Sequence, residues 1–141
     1  ERTGTEVVYP VHPRSEEQLK QHNIDVPAGI RCVEPLDFLD FIQLENTASL
    51  VFTDSGGVQE ETCVLRTPCV TIRDSTERPE TLSVGSNTLA DPTADSIMVS
   101  AFDVKSGDND WDTPFGDGDA AGRILWALGF DSPDVAQVVQ T

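Results

Sequence analysis

Lysine is almost missing from this chain. Two lysines and seven arginines stand against 25 carboxylates, giving a net charge of −16 over 141 residues. A phosphate polymer needs a basic footprint, so the deficit excludes direct nucleic-acid binding and argues against docking on an anionic membrane. Long apolar runs are missing too. None approaches the ~20 residues that span a bilayer, and no signal-peptide pattern is visible. Cysteine is scarce: Cys32, Cys63 and Cys69 are odd in number and form no CxxC pair. That suggests neither a disulfide framework nor a zinc site, makes a reducing cytosol the default, and leaves the thiols as small core residues among apolar neighbours. Repeats, low-complexity segments and an interdomain linker are also absent.

What is present is 38% hydrophobic sequence in periodic blocks, enough to exclude disorder and to build one domain of ordinary size. The acidity has two readings. One is plain solubility. The other, favoured by the scarcity of lysine, is adaptation to a salty cytoplasm, where a Debye length of ~3 Å at ~1 M salt screens the repulsion between surface carboxylates.

Short apolar runs alternate with helical patterns. Val7 to Val11 reads as a buried strand. Ser15-Glu16-Glu17-Gln18 has the form of a capping box opening a helix that runs to about His22. Residues 30–33 form a second strand candidate, and Asp37 can cap a helix carrying Phe38, Leu39, Phe41 and Ile42. Residues 48–53 read as a strand, 54–57 as a turn, and 58–65 as a helix whose Glu60 and Glu61 sit in the first turn, where carboxylates suit the dipole. Residues 69–72 are the next strand, and Pro79 suits the first position of a helix running towards Val84. Residues 87–90 are a further strand candidate and 105–113 a polar loop. A last helix opens near Asp117 or Gly118, with Ala120, Ala121, Ile124, Leu125 and Leu128 on one face and Gly129 as its stop. Non-alternating apolar strands joined by helices predict an α/β fold, a Rossmann-like parallel sheet with helices on both faces.

Ligands of such sheets bind beyond the C-terminal strand ends. The strongest feature there is Thr53-Asp54-Ser55-Gly56-Gly57-Val58-Gln59-Glu60-Glu61. Two glycines between strand and helix let an anion approach backbone amides at a positive helix end, and Ser55 adds a hydroxyl. Glu61, six positions on, suits sugar hydroxyls rather than phosphate. Phosphate at the turn with ribose at the carboxylate suggests a nucleotide; the alternative is an ordinary tight turn. Arg73 and Arg78 follow the next strand. Arg78, at a helix start, is the candidate for bidentate phosphate contact; Arg73 stays undecided, and pairing with Asp74, Glu77 or Glu80 would explain either. His12, held between Pro10 and Pro13, is a candidate phosphate donor or proton shuttle, whereas His22 near a helix C-terminus reads as structural. Asp117 reads as a helix cap.

Taken together, PVHPR (10–14), EPLDFLDFIQL (34–44), LVFTDSGGVQEE (50–61), PCVTIRDSTERPE (68–80) and TPFGDGDAAGRIL (113–125) resemble the C-terminal half of the non-hydrolysing UDP-N-acetylglucosamine 2-epimerases, over roughly residues 7–128. The resemblance implies two Rossmann-like domains, as in GT-B glycosyltransferases, with a UDP-sugar between them. It implies no cofactor, neither metal nor nicotinamide, and a homodimer for the parent enzyme. It also implies a reaction that eliminates UDP to a 2-acetamidoglucal and adds it back after the C2 proton is replaced on the opposite face. By position, Ser55, Gly56 and Gly57 would hold the diphosphate, Glu61 the ribose hydroxyls, Phe41 the uracil and Arg78 the phosphates, while His12 would act catalytically on the departing or returning UDP. The family usually has Asn at or near position 14, where this chain has Arg14.

The family's C2 acid/base carboxylates belong to its N-terminal domain. The chain is therefore expected to be a fragment, a UDP-binding Rossmann-like domain over 1–130 that lacks its first strand, followed by a tail over 131–141. Such a fragment is expected to be inactive alone and to expose apolar surface. The donor domain of a GT-B glycosyltransferase is the alternative, and a non-catalytic nucleotide-binding remnant is a third.

Overall fold

Every strand pairing described is parallel, as apolar strands joined by helices require. The structure, a computed structural model, describes residues 6–105 and 107–130; the expected tail over 131–141 lies outside the described residues. The chain divides between Leu44 and Glu45 into two units.

In the first unit, β1 (Val7–Pro10) pairs with β2 (Ile30–Val33), with Val7 opposite Ile30 and Pro10 opposite Val33. Between them lies α1 (Pro13–Gln21). Its cap corrects the expected capping box. The helix starts three residues earlier than that box implies, at Pro13, whose fixed φ suits a first position, and the N-cap is His12, not Ser15. The Ser15 amide donates to the His12 carbonyl (2.8 Å), and the Gln18 side chain bonds Gln21 instead. His22 forms the C-cap. Asp37 caps α2 (Phe38–Thr47) as expected, its Oδ1 accepting from the Asp40 amide at 2.9 Å. Cys32 is exposed rather than a core residue, whereas Cys63 and Cys69 are buried.

In the second unit, β3 (Val51–Thr53), β4 (Cys69–Thr71) and β5 (Asn87–Leu89) form one sheet in the order β3-β4-β5. The central strand β4 is buried along its whole length, which is why its sequence does not alternate. Helix α3 (Gly56–Leu65) joins β3 to β4, and α4 (Pro79–Ser83) joins β4 to β5. A helix missing from the sequence expectations, α5 (Ala94–Lys105), follows β5. Thr93 Oγ1 accepts from the Ser96 amide, capping the helix, and Ser96 Oγ accepts from the Asp91 amide. The spacing of Ile97, Ala101 and Val104 places all three against Val70, Ala90 and Leu50. The polar stretch after α5 is anchored by Trp111, which is 7% exposed and donates from Nε1 to the Cys63 carbonyl at 2.9 Å, and by an ion pair between Asp110 and Arg66. Helix α6 (Ala120–Ala127) starts from Asp119 and stops before Gly129, whose φ of +83° only glycine adopts readily. It buries no residue, and Trp126 and Leu128 are exposed.

Candidate functional site

Strand β3 ends at Thr53, and the chain turns directly into α3. Ser55 is the N-cap, with extended backbone (φ −88°, ψ 131°), so Gly56 and Gly57 are the first two helical residues rather than a separate turn. This moves Glu60 and Glu61 out of the first turn, where no acidic residue sits, and removes the expected favourable pairing with the helix dipole. The Ser55 hydroxyl makes no capping bond; its own amide donates to Thr53 Oγ1 at 3.0 Å. The amides of Gly56, Gly57 and Val58 therefore open an anion-receptive helix end beside that hydroxyl.

The two glycines are not demanded by the backbone. Neither has positive φ. A Cβ on Gly57 would approach nothing nearer than Ser55 Oγ at 3.8 Å, and one on Gly56 nothing nearer than Glu77 Oε2 at 3.9 Å. Alanine would fit at both positions and favour the helix by up to about 1 kcal/mol. What glycine adds is an uncovered approach to the amides.

The loop after β4 lies against this helix start. Arg78 pairs through Nε with Glu60 of α3, and its Nη1 donates to the Glu77 carbonyl at 3.1 Å. Arg73 pairs with Glu77 at 3.2 Å, one of the three carboxylates that the sequence offered it. The Glu77 backbone amide and the Arg73 guanidinium hold the Glu77 carboxyl below the usual range. The second unit thus brings together Ser55, Gly56, Gly57, the α3 carboxylates and Arg78. Glu61 is half-buried one helical turn beyond Gly57.

His12 and Phe41 belong to the first unit. His12 is exposed, and its Nδ1 accepts from the Arg14 amide at 3.2 Å. An accepting Nδ1 places the proton of the neutral ring on Nε2, which makes that nitrogen a donor to an anion. Arg14 thereby contributes through its backbone. Phe41 is half-buried in the first turn of α2, its amide donating to the Asp37 carbonyl at 2.9 Å. An open pocket of about 510 Å³ in this unit is lined by Val11, Leu19, Ile24, Val26 and Cys32 and contains neither His12 nor Phe41. Its rim charges Glu16 and Lys20 pair with each other at 2.5 Å.

Two features went unread in the sequence. Gln59 is fully buried and hydrogen-bonds across several elements. The signal available was its place, three and four residues before the buried Thr62 and Cys63 on one helix face. Glu45 is 3% exposed, with both carboxylate oxygens unpartnered. Burial, and secondarily the nearby Glu61 carboxylate, push it up to about 7. Nothing separates it from the other 24 carboxylates in the sequence. Burial likewise pushes the Cys69 thiol up to about 11, so it stays protonated and unreactive. Among the described residues no cluster of three or more His, Cys, Asp or Glu side chains could hold a metal ion, and no helix is long and apolar enough to cross a membrane.

This geometry can be set beside known proteins. The family model described as UDP-N-acetylglucosamine 2-epimerase matches residues 1–129. The UDP-N-acetylglucosamine 2-epimerase of Methanocaldococcus jannaschii is 39% identical over 126 residues, which are 86% of this chain and 34% of that protein. The Methanococcus maripaludis enzyme of the same name is 41% identical over 123 residues, 84% of this chain and 33% of that protein. A crystal structure of the M. jannaschii UDP-GlcNAc 2-epimerase in complex with UDP-GlcNAc and UDP superposes with a TM-score of 0.79 at 39% identity, covering 86% of this chain and 35% of that one. The chain thus spans about a third of the length of these relatives.

Proposed function

The chain belongs to the UDP-N-acetylglucosamine 2-epimerase family, and from that premise we propose that it is the UDP-binding portion of an enzyme interconverting UDP-N-acetylglucosamine and UDP-N-acetylmannosamine. The observation that carries the proposal is the pair Gly56 and Gly57. They stand in ordinary helical backbone with room for a methyl, so their lack of a side chain serves an approaching ligand rather than the fold. A diphosphate is the ligand that fits, its oxygens taking the amides at the start of α3 and the Ser55 hydroxyl. Arg78 contributes its guanidinium, exchanging Glu60 for phosphate. Glu61 accepts from the ribose hydroxyls. For His12 and Phe41, both of the first unit, the resemblance alone carries the roles: for Phe41 the uracil, and for His12 the departing and returning UDP.

In this reaction the C2–H proton is removed and the C1–O bond to UDP breaks, giving the glucal. A proton then adds to the opposite face of C2, and UDP reforms the C1–O bond. The chain supplies the UDP end of that sequence. On the resemblance, the carboxylates acting at C2 belong to the family's N-terminal domain rather than to the residues of this chain. The surrounding assignments follow the same reading: a homodimer, on the resemblance alone; a reducing cytosol, on three thiols without paired spacing; and an acidic surface suited to high salt, with neither nucleic acid nor membrane as partner.

The test is exchange at C2. During turnover of UDP-N-acetylglucosamine in deuterated water, the intact protein incorporates deuterium at C2, and the 141-residue chain alone gives no epimerisation. A glycosyltransferase would cleave the anomeric bond without touching C2. Turnover with protium retained at C2 would remove the epimerase reading and leave that alternative.

A further inference from the structure

We propose that Gln59 is a positioning residue that sets the gap between the Ser55–Gly57 helix start and Arg78. The proposal rests on the reading of that helix start as the diphosphate site. Gln59 is 0% exposed, and a buried amide is tolerated only when its polar atoms are satisfied. Its Nε2 donates to the Ser55 carbonyl at 3.1 Å. Its Oε1 accepts from Thr76 Oγ1 at 2.5 Å and from Asn87 Nδ2 at 3.2 Å. Thr76 Oγ1 in turn accepts from the Arg78 amide at 2.9 Å. Three bonds therefore run from the Ser55 carbonyl through Gln59 and Thr76 to the backbone of Arg78.

The other backbone group of Arg78 is held by the same network. Thr81 Oγ1 donates to the Arg78 carbonyl at 2.7 Å and accepts from Asn87 Nδ2 at 3.1 Å, while Asn87 Oδ1 accepts from Thr71 Oγ1 at 2.9 Å. The direction of every bond is determined. Each threonine hydroxyl spends its single proton on one acceptor, and the two protons of the Asn87 amide go to Gln59 and Thr81. No hydroxyl can turn without breaking a bond, so the network has one arrangement. It links α3, the loop after β4, α4, β4 and β5, and its two ends are the residues read as phosphate ligands. An oxyanion site loses strength when its donors are displaced by a fraction of an ångström, and Gln59 is the member that touches the helix start directly.

The experiment compares affinity for UDP with affinity for uridine, which has no phosphate, in the intact protein. Gln59→Met and Thr76→Val each weaken UDP binding about tenfold, the scale of one hydrogen bond to an anion, and leave uridine binding within about twofold. Thr76→Ser, which keeps the hydroxyl, restores UDP binding. The double variant binds no more weakly than the weaker single, because both cut one chain. Thr76 is only half-buried, so its two variants carry the test if Gln59→Met does not fold. An equal loss for UDP and uridine, or failure of Thr76→Ser to rescue, would overturn the proposal. So would unchanged UDP affinity in Gln59→Met and Thr76→Val while Ser55→Ala weakens it. If Ser55→Ala and Glu61→Ala also leave UDP affinity unchanged, the diphosphate reading itself falls.

Discussion

Gly57→Ala makes the protein more stable and about a hundredfold worse at binding UDP. The two effects have opposite signs because they come from different partners of the same atom. In the unliganded chain an added Cβ would stand 3.8 Å from Ser55 Oγ, an ordinary contact, and the backbone φ is already helical. Alanine therefore gains up to about 1 kcal/mol of helix preference. In the complex the methyl would cover the amides at the start of α3, where a phosphate oxygen must come within hydrogen-bonding distance. Loss of a charge-assisted bond is worth roughly 1.5–3 kcal/mol, and about 2.7 kcal/mol corresponds to a hundredfold. Urea unfolding and calorimetric titration with UDP on the same variant read both signs. Unchanged affinity in a stabilised variant would mean that these glycines face no ligand.

Glu45→Gln is expected to raise stability by on the order of 3 kcal/mol at pH 8 and to leave it nearly unchanged below pH 4.5. The wild-type carboxyl is 3% exposed, with neither oxygen partnered, and burial together with Glu61 raises it from 4.5 to about 7. A folded state that holds the proton more tightly than the unfolded state loses stability as that proton is released. The contribution of Glu45 is thus fully present below about pH 4.5, declines as pH rises through 7, and is gone above it. At 1.36 kcal/mol per pH unit the span gives the magnitude stated. Glutamine keeps the shape without the charge, so the difference between wild type and variant isolates this residue from every other titration. Urea midpoints measured from pH 4.5 to 8.5 should diverge with rising pH; parallel curves would show that Glu45 does not titrate in this window. Glu61 carries the same charge nearby, so ionised Glu45 also repels the carboxylate assigned to the ribose.

The elements that sequence revealed are those defined by local chemistry. Strand β2 and the Asp37 cap of α2 match their expectations because a short, mainly apolar run or one capping carboxylate suffices to specify them. At the helix start after Ser55 the sequence offered two readings, a ligand site and an ordinary tight turn, because two adjacent glycines after an apolar strand suit both. Other features depend on the fold as a whole. The rival cap at Ser15 was as good locally as the one at His12, and Pro13 decided between them. Helix α5 opens on Ala94, Asp95 and Ser96 and carries β-branched residues, so its apolar face shows only once Val70 and Ala90 are there to meet it. The Gln59 network draws single polar residues from five segments, and no spacing within any one segment announces it. Glu45 is distinguished only by its burial.

The central claim, that the start of α3 receives the diphosphate of a UDP-sugar, is tested most directly by watching the glycine amides. In a nitrogen-15 NMR titration of the intact protein, saturation with UDP should shift the Gly56 and Gly57 amide protons downfield, among the largest changes in the spectrum, while uridine should leave both nearly in place. UDP saturation that leaves these two amides unmoved would contradict the account.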